Sequence, residues 1–216
     1  MAKILDSSPR NKFRPIFLPA AKEIARLGAI NSLTQALLKL TSPGVPDIYQ
    51  GTEIWDYSLV DPDNRRPVDY ELRRQLLKSL SSATPGELMQ TWPDSRIKMF
   101  LTQRLLRFRK EHSDLFERGE YLPLQTSGTF AESCVSFVRR LDKHWIAVIA
   151  PRLSFRIGFP PIGEVWQDTA MQLLESFSLK EAHDLFTCRP IRHQNGQLVL
   201  RDIFSVLPFA VITNLH

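Results

Sequence analysis

The chain reads as an α+β protein, in which helices come first and an antiparallel sheet follows. Three observations carry that reading. Up to about residue 110 the apolar residues recur at helical spacing. Beyond Glu120, short runs rich in Val, Ile, Phe and Trp alternate with turn residues, as in an antiparallel sheet domain. Near the start, a helical stretch, a short apolar run and a second helical stretch follow one another, the order found at the close of a (β/α)8 barrel. The expected architecture is therefore the helices and last strand of such a barrel, followed by an antiparallel β-sandwich-like C-terminal domain.

In chain order, the first thirteen residues are polar and without period, a frayed lead-in. From residue 19 to residue 40, Ile24, Leu27, Ile30, Leu33 or Thr34, Leu37 and Leu40 mark one long helix with a single buried stripe. Pro43 and Gly44 stop it. The stretch 41–70, TSPGVPDIYQGTEIWDYSLVDPDNRRPVDY, organises the rest. Val45 and Ile48 suit a short buried strand over residues 45–49, with Pro46 tolerated only at a strand start or irregular position. Gly51 lets the backbone turn into a polar loop. Pro67 opens a second helix with the stripe Val68, Leu72, Leu76 and Leu80, capped by Asp63 or Asn64 and ended by Ser81, Ser82, Pro85 and Gly86. Ile97, Phe100, Leu101, Leu105 and Phe108 form a third stripe, with Lys98, Arg104, Arg107, Arg109 and Lys110 on its wet side. Strands are expected over residues 134–140, 145–150, 197–200 and 207–213. Residues 153–192 carry no period that fixes a topology, although Pro160, Pro161 and Gly163 make a loop. The division that follows is 1–90 for the incomplete end of the barrel and 91–216 for a β-rich domain with a leading helix.

Composition excludes several classes. The 28 basic against 23 acidic residues give a net charge of +5, scattered in short pairs and without a basic tract or reading motif, so a nucleic-acid partner is not expected. No apolar run approaches the ~20 residues of a membrane span, and no signal-peptide core is visible, which predicts cytoplasmic residence and no membrane partner. Cys134 and Cys188 stand in no metal or redox spacing and would sit as small apolar residues in a reducing compartment. His112, His144, His183, His193 and His216 show no ligand spacing, and phosphate-loop and nucleophile-elbow motifs are absent, so neither metal nor cofactor is expected. At 216 residues the chain is shorter than the about 250 of a whole barrel, which suggests a C-terminal piece.

PGVPDIYQGTE resembles the segment around the eighth barrel strand of the α-amylase superfamily, glycoside hydrolase family 13. The continuation IWDYSLVDPDNRRPVDY narrows the resemblance to the maltooligosyltrehalose synthase family. LGAINSLTQALLKL upstream, and LLRFRKEHSDLFERGEYLPL, WIAVIAPRL, VWQDT and LPFAVI downstream, resemble the closing helices and C-terminal domain of that family. The resemblance implies conversion of the reducing-end α-1,4 linkage of a maltooligosaccharide to an α,α-1,1 linkage by intramolecular transglucosylation. It also implies that the three catalytic carboxylates lie on earlier strands. Their motifs have no match here; there is no Asn-His-Asp, and the nearest His-Asp is His183-Asp184. No catalytic residue is therefore assigned, and the chain alone is expected to be inactive. Its expected partners are the oligosaccharide and the N-terminal part of the same enzyme.

The loop can still supply binding. Tyr49, Trp55 and Tyr57 suit stacking on pyranose faces, and Gln50, Glu53, Asp61, Asp63, Asn64, Arg65 and Arg66 suit hydrogen bonds to hydroxyls. Plainer roles stand beside these: packing beneath the loop for Trp55 and Tyr57, a salt-bridged turn for residues 63–66, and a backbone-holding role for Glu53. A non-catalytic carbohydrate-binding or scaffold module, docking on a partner that carries the carboxylates, is the alternative reading.

Overall fold

The structure, a computed structural model, describes residues 6–58, 65–173, 177–193 and 196–215. Helix α1 spans Phe13–Thr41, with Pro19 in its second turn. Its buried residues begin only at Ala29 and include Ile30, Leu33, Leu37 and Leu40. The expected stripe is thus half right, because Ile24 is 70% exposed and no residue before Ala29 is buried in the helix. Thr41 ends the helix by donating its hydroxyl back to the Leu37 carbonyl at 2.7 Å.

The expected strand at residues 45–49 is not formed. Val45 is 97% exposed and the segment is irregular. An apolar run becomes a strand only when neighbours complete its ladder, and no described residue pairs with this one. Helix α2, Tyr70–Ser79, starts later than expected: its cap is Asp69, which accepts from the Leu72 amide at 2.9 Å, in place of Asp63 or Asn64. Pro67 and Val68 stay outside it, Leu72 is 41% exposed, and only Leu80, in the following 3-10 turn Leu80–Ser82, is buried. Pro85 and Gly86, taken as a stop signal, open another short helix, α3, Pro85–Gln90. The capping box of Thr84 and Glu87 outweighs the proline-glycine pair, since proline in the first turn gives up no helical bond.

Helix α4, Arg96–Glu111, buries Ile97, Phe100, Leu101, Leu105 and Phe108, as the spacing predicts. A short helix α5, Ser113–Arg118, leads into the sheet region. There follow β1 (Glu120–Pro123), β2 (Thr126–Ser127), β3 (Cys134–Leu141), β4 (His144–Pro151), β5 (Ala170–Gln172), β6 (His183–Asp184), β7 (Gln197–Val199), the single-turn helix α6 (Leu200–Ile203) and β8 (Ala210–Thr213). One antiparallel sheet has the order β1-β3-β4-β8-β6 and the other β2-β5-β7. β3 and β4 form a hairpin in which Leu141 faces His144, with Asp142 in the left-handed region at φ 54°. Aspartate tolerates that turn position better than most side chains do.

Strand β4 shows how the layers meet. Ile146, Val148 and Ala150 join the core shared with α1 and α4, whereas Trp145, Ala147 and Ile149 join the core shared with Met171, Leu198 and Phe204. Alternate residues therefore face opposite layers, which gives helices, a five-stranded sheet and a three-stranded sheet in sequence. Each large aliphatic side chain so covered contributes about 1.5–3 kcal/mol relative to exposure. Arg139 of β3 points to the helix side with 1% exposure and donates to four carbonyls: Thr41 (3.2 Å), Leu115 (3.4 Å), Phe116 (2.8 Å) and Gly119 (2.9 Å). It ties the end of α1 to the end of α5.

The two cysteines part company. Cys134 is buried, and burial pushes its thiol up to about 12. Cys188 is exposed, contrary to the expectation of two sheltered thiols, because it sits at φ 57° in the turn after β6. In native protein, a chromogenic disulfide reagent at pH 8 is expected to titrate Cys188 alone, with Cys134 appearing only in denaturant. Rapid reaction of both without denaturant would contradict this.

Candidate functional site

The stretch after α1 is anchored at its start by α4. Arg109 donates to the Leu40 carbonyl at 3.0 Å and to the Gly44 carbonyl at 2.6 Å. Next comes a tight turn, in which the Thr52 amide and hydroxyl both reach the Tyr49 carbonyl, at 3.1 and 2.7 Å. Gly51, at φ +90°, is required here: a Cβ would lie 3.1 Å from the Arg73 guanidinium and 3.3 Å from Val68. Arg73 of α2 fills that space and donates to the Gly51 carbonyl at 2.6 Å and to Glu53 at 3.4 Å. Glu53 is thus an anchor of the loop. Gln50 accepts from the Tyr70 hydroxyl at 3.4 Å.

Ile54 is buried in the main core, and its carbonyl accepts from Lys98 of α4 at 3.1 Å. Burial, and next to it Lys39, hold the Lys98 ammonium below its ordinary value. Trp55 is half-buried; its amide donates to the Ser95 hydroxyl at 3.3 Å and its indole to the Trp92 carbonyl at 2.8 Å. Its ring meets Trp92 edge-on at 6.3 Å. Asp56 then accepts from the Ser58 amide and hydroxyl at 2.9 and 2.7 Å, and these bonds hold its carboxyl below the usual range. Tyr57 projects outward with 77% exposure, and Tyr49 is 48% exposed.

Of the ten candidate residues, Tyr49, Gln50, Glu53, Trp55 and Tyr57 thus come together on one held loop. Arg65 and Arg66 are exposed at its far end. Asp61, Asp63 and Asn64 lie outside the described residues. Beside Tyr49 is a cavity of about 450 Å³ whose walls include Gln35, Lys39, Asp47, Thr52, Lys98 and Thr102. A larger cavity of about 760 Å³ lies behind Trp92, between Arg26, Phe159 and Arg189, and has no carboxylate in its lining. The smaller one is the relevant one, because the loop forms its wall.

Sequence reasoning missed Arg73, Lys98 and Arg109, the last two having been placed on a wet face. One signal was present: Lys98, Thr102, Leu105 and Arg109 share a helical face at spacings of four, three and four, and Thr102 and Leu105 are buried. Among the described residues no group of three or more His, Cys, Asp or Glu side chains converges to hold a metal ion. His183-Asp184 is no pair of reacting groups either. Asp184 is buried and accepts from the Thr187 amide and hydroxyl at 2.9 and 2.6 Å and from the Val211 amide at 3.2 Å. No helix among the described residues is long and apolar enough to cross a membrane.

The helix, sheet, sheet layering matches the C-terminal part of a larger enzyme. The enzymes so matched are named maltooligosyltrehalose synthases, and this chain is similar to them in sequence and in structure. The maltooligosyltrehalose synthase from Arthrobacter ramosus matches with a TM-score of 0.73 and 30% identity over 94% of this chain and 24% of its own length. A second crystal structure of a maltooligosyl trehalose synthase matches with a TM-score of 0.68 and 30% identity over 95% of this chain and 24% of that one. In sequence, the chain is 43% identical over 137 residues to a protein of Mycobacterium tuberculosis H37Rv named putative maltooligosyl trehalose synthase. That alignment takes in 60% of this chain and 16% of the relative, so the chain spans a small part of the curated relatives it matches. No family model matches the chain.

Proposed function

We propose that the chain serves as the C-terminal part of an enzyme that converts the reducing-end α-1,4 linkage of a maltooligosaccharide to an α,α-1,1 linkage by intramolecular transglucosylation. The observation that carries this reading is the structural likeness to the Arthrobacter ramosus enzyme over 94% of the chain. In this reading residues 1–90 complete a catalytic barrel and residues 91–216 form the domain behind it. The bond from the penultimate anomeric carbon to the terminal O4 breaks, O4 takes a proton, and the same carbon is captured by the terminal glucose's O1, which gives a proton up. Such chemistry needs two carboxylates flanking the bond, one ionised and one protonated. They come from the remainder of the enzyme, which makes that remainder the partner of this chain. No cofactor or metal is required, and the reaction belongs to the cytoplasm.

The contribution of this chain is one wall of the site. Tyr49 and Tyr57 offer aromatic faces, and Gln50, Arg65 and Arg66 offer polar groups. Asp61, Asp63 and Asn64 keep their assignment to hydroxyl binding. Glu53 and Trp55 act mainly by holding that wall in place. Water must be kept from the cleaved carbon, or the outcome is hydrolysis and not isomerisation.

The test is loss of reducing ends from maltohexaose, with glucose release followed alongside. It is run on this chain alone and on the chain joined to the polypeptide encoded upstream. Silence from the first and reducing-end loss from the second are expected. Activity of the chain by itself would overturn the reading and move two carboxylates into the loop.

A further inference from the structure

Residues 50–55 are held from two sides by cations with no part in the reading above. On the α2 side Arg73 directs its three guanidinium nitrogens to the Gly51 carbonyl, the Asp69 carbonyl and Glu53. On the α4 side Lys98 donates to the Ile54 carbonyl at 3.1 Å and stands 5.7 Å from the centre of the Trp55 ring. Trp55 is turned by its bonds to Ser95 and to the Trp92 carbonyl. Trp92 meets Phe159 edge-on at 5.7 Å, so a string of rings runs from the loop into the second half of the chain. The Asp56 turn and the exposed ring of Tyr57 come directly after Trp55. Where the Ile54 carbonyl is held therefore decides where Tyr57 stands relative to Tyr49.

Lysine is a costly choice at this place. The ammonium is partly withdrawn from water, Lys39 opposes its charge, and it forms no ion pair with a described carboxylate. A methionine of similar length would pack there without that cost. What compensates the lysine is the Ile54 carbonyl, the Trp55 ring and the charges of Asp56 and Glu53, and all four belong to the loop.

We infer that Lys98 is a positioning residue that sets the wall between Tyr49 and Tyr57, and through it determines how far the cleaved intermediate goes to transfer and how far to water. This rests on the proposed reaction. The test uses the chain joined to its upstream polypeptide, with maltohexaose as substrate, and compares Lys98→Met and Lys98→Arg with the parent. Lys98→Met removes the donor and is expected to raise glucose released per non-reducing end formed by about tenfold, the scale of one lost charge-assisted hydrogen bond. Lys98→Arg restores a donor and is expected to return the ratio to within about threefold of the parent. Amide hydrogen exchange of the 216-residue chain supplies a second readout, with faster exchange expected in Lys98→Met over residues 50–58 and not over β3 or β4.

A parent enzyme that forms non-reducing ends, with a ratio unmoved by Lys98→Met, overturns the inference and leaves the proposed reaction standing. So does an equal fall in both products accompanied by faster exchange throughout the chain, which is a general loss of fold. A joined parent that forms no non-reducing ends at all sinks the proposed reaction and the inference together.

Discussion

Arg139→Met is expected to lower the melting temperature of the chain by roughly 6–12 °C, which corresponds to about 3 kcal/mol in a domain of this size. Arg139 is 1% exposed, and its acceptors are the carbonyls of Thr41, Leu115, Phe116 and Gly119. Those carbonyls lie at helix ends, where few amides are left to reach them; of the four, that of Leu115 also accepts from the Gly119 amide, at 3.0 Å. Methionine would fill most of the volume and satisfy none of the four. Crowding at the corner prevents easy repair: a Cβ on Gly119 would collide with the Leu115 carbonyl oxygen. Arg139→Lys is expected to recover only part of the loss, because one ammonium cannot span the planar fork that two guanidinium nitrogens cover. Thermal and urea denaturation would measure both variants. A shift below about 2 °C for Arg139→Met would mean that water takes over the four bonds and that the arginine is not the tie described.

Asp184→Ala is expected to cost about 2–3 kcal/mol, because it strands the Thr187 and Val211 amides away from solvent. Both amides currently reach the Asp184 carboxylate, at 2.9 and 3.2 Å. The effect of pH has a definite sign. Burial pushes the Asp184 carboxyl above its ordinary value of 3.8, against the lowering effect of its hydrogen bonds. A group raised on folding adds stability that is full below the unfolded value and is lost as pH rises through the folded one. The parent should accordingly lose stability relative to Asp184→Asn as pH is raised from below 3.8, since asparagine does not titrate. Chemical denaturation of both proteins across that range checks the slope. A constant gap between them would show that ionising this carboxyl costs nothing in the fold, and that its donors offset its burial.

Some elements were legible in the sequence for physical reasons, and others were closed to it. Helix α4 was legible because Ile97, Phe100, Leu101, Leu105 and Phe108 are all buried in one layer. The run from Trp145 to Ala150 reads as a strand, and β4 covers it, with both of its faces buried. By contrast β2 and β6 are two residues long, and no periodicity can be expressed in two residues. Trp166 was quoted in a resembling segment without a role, and in the structure it is fully buried against Phe204 at 5.1 Å, its indole donating to the Pro161 carbonyl. The strand expected at residues 45–49 was read from apolar content alone, which says nothing about who completes the ladder. At the site, the stretch and its aromatic residues could be read from the sequence, but whether Tyr57 packs beneath the loop or projects from it could not, and it projects. The side chains that hold the stretch could not be read either, because Arg73, Lys98 and Arg109 bind backbone carbonyls and every residue has one.

The contacts of Arg109 and Lys98 bear on how this protein can be recombined with its relatives. Arg109 fastens residues 40 and 44, Lys98 fastens residue 54, and both project from α4 across more than forty intervening positions. The span between them behaves like a bridge deck whose two abutments stand on another part of the chain. A chimera that exchanges only residues 41–70 would set a foreign deck on native abutments. The transferable unit is discontinuous: residues 41–73, which include Arg73, together with residues 92–109, exchanged as a pair.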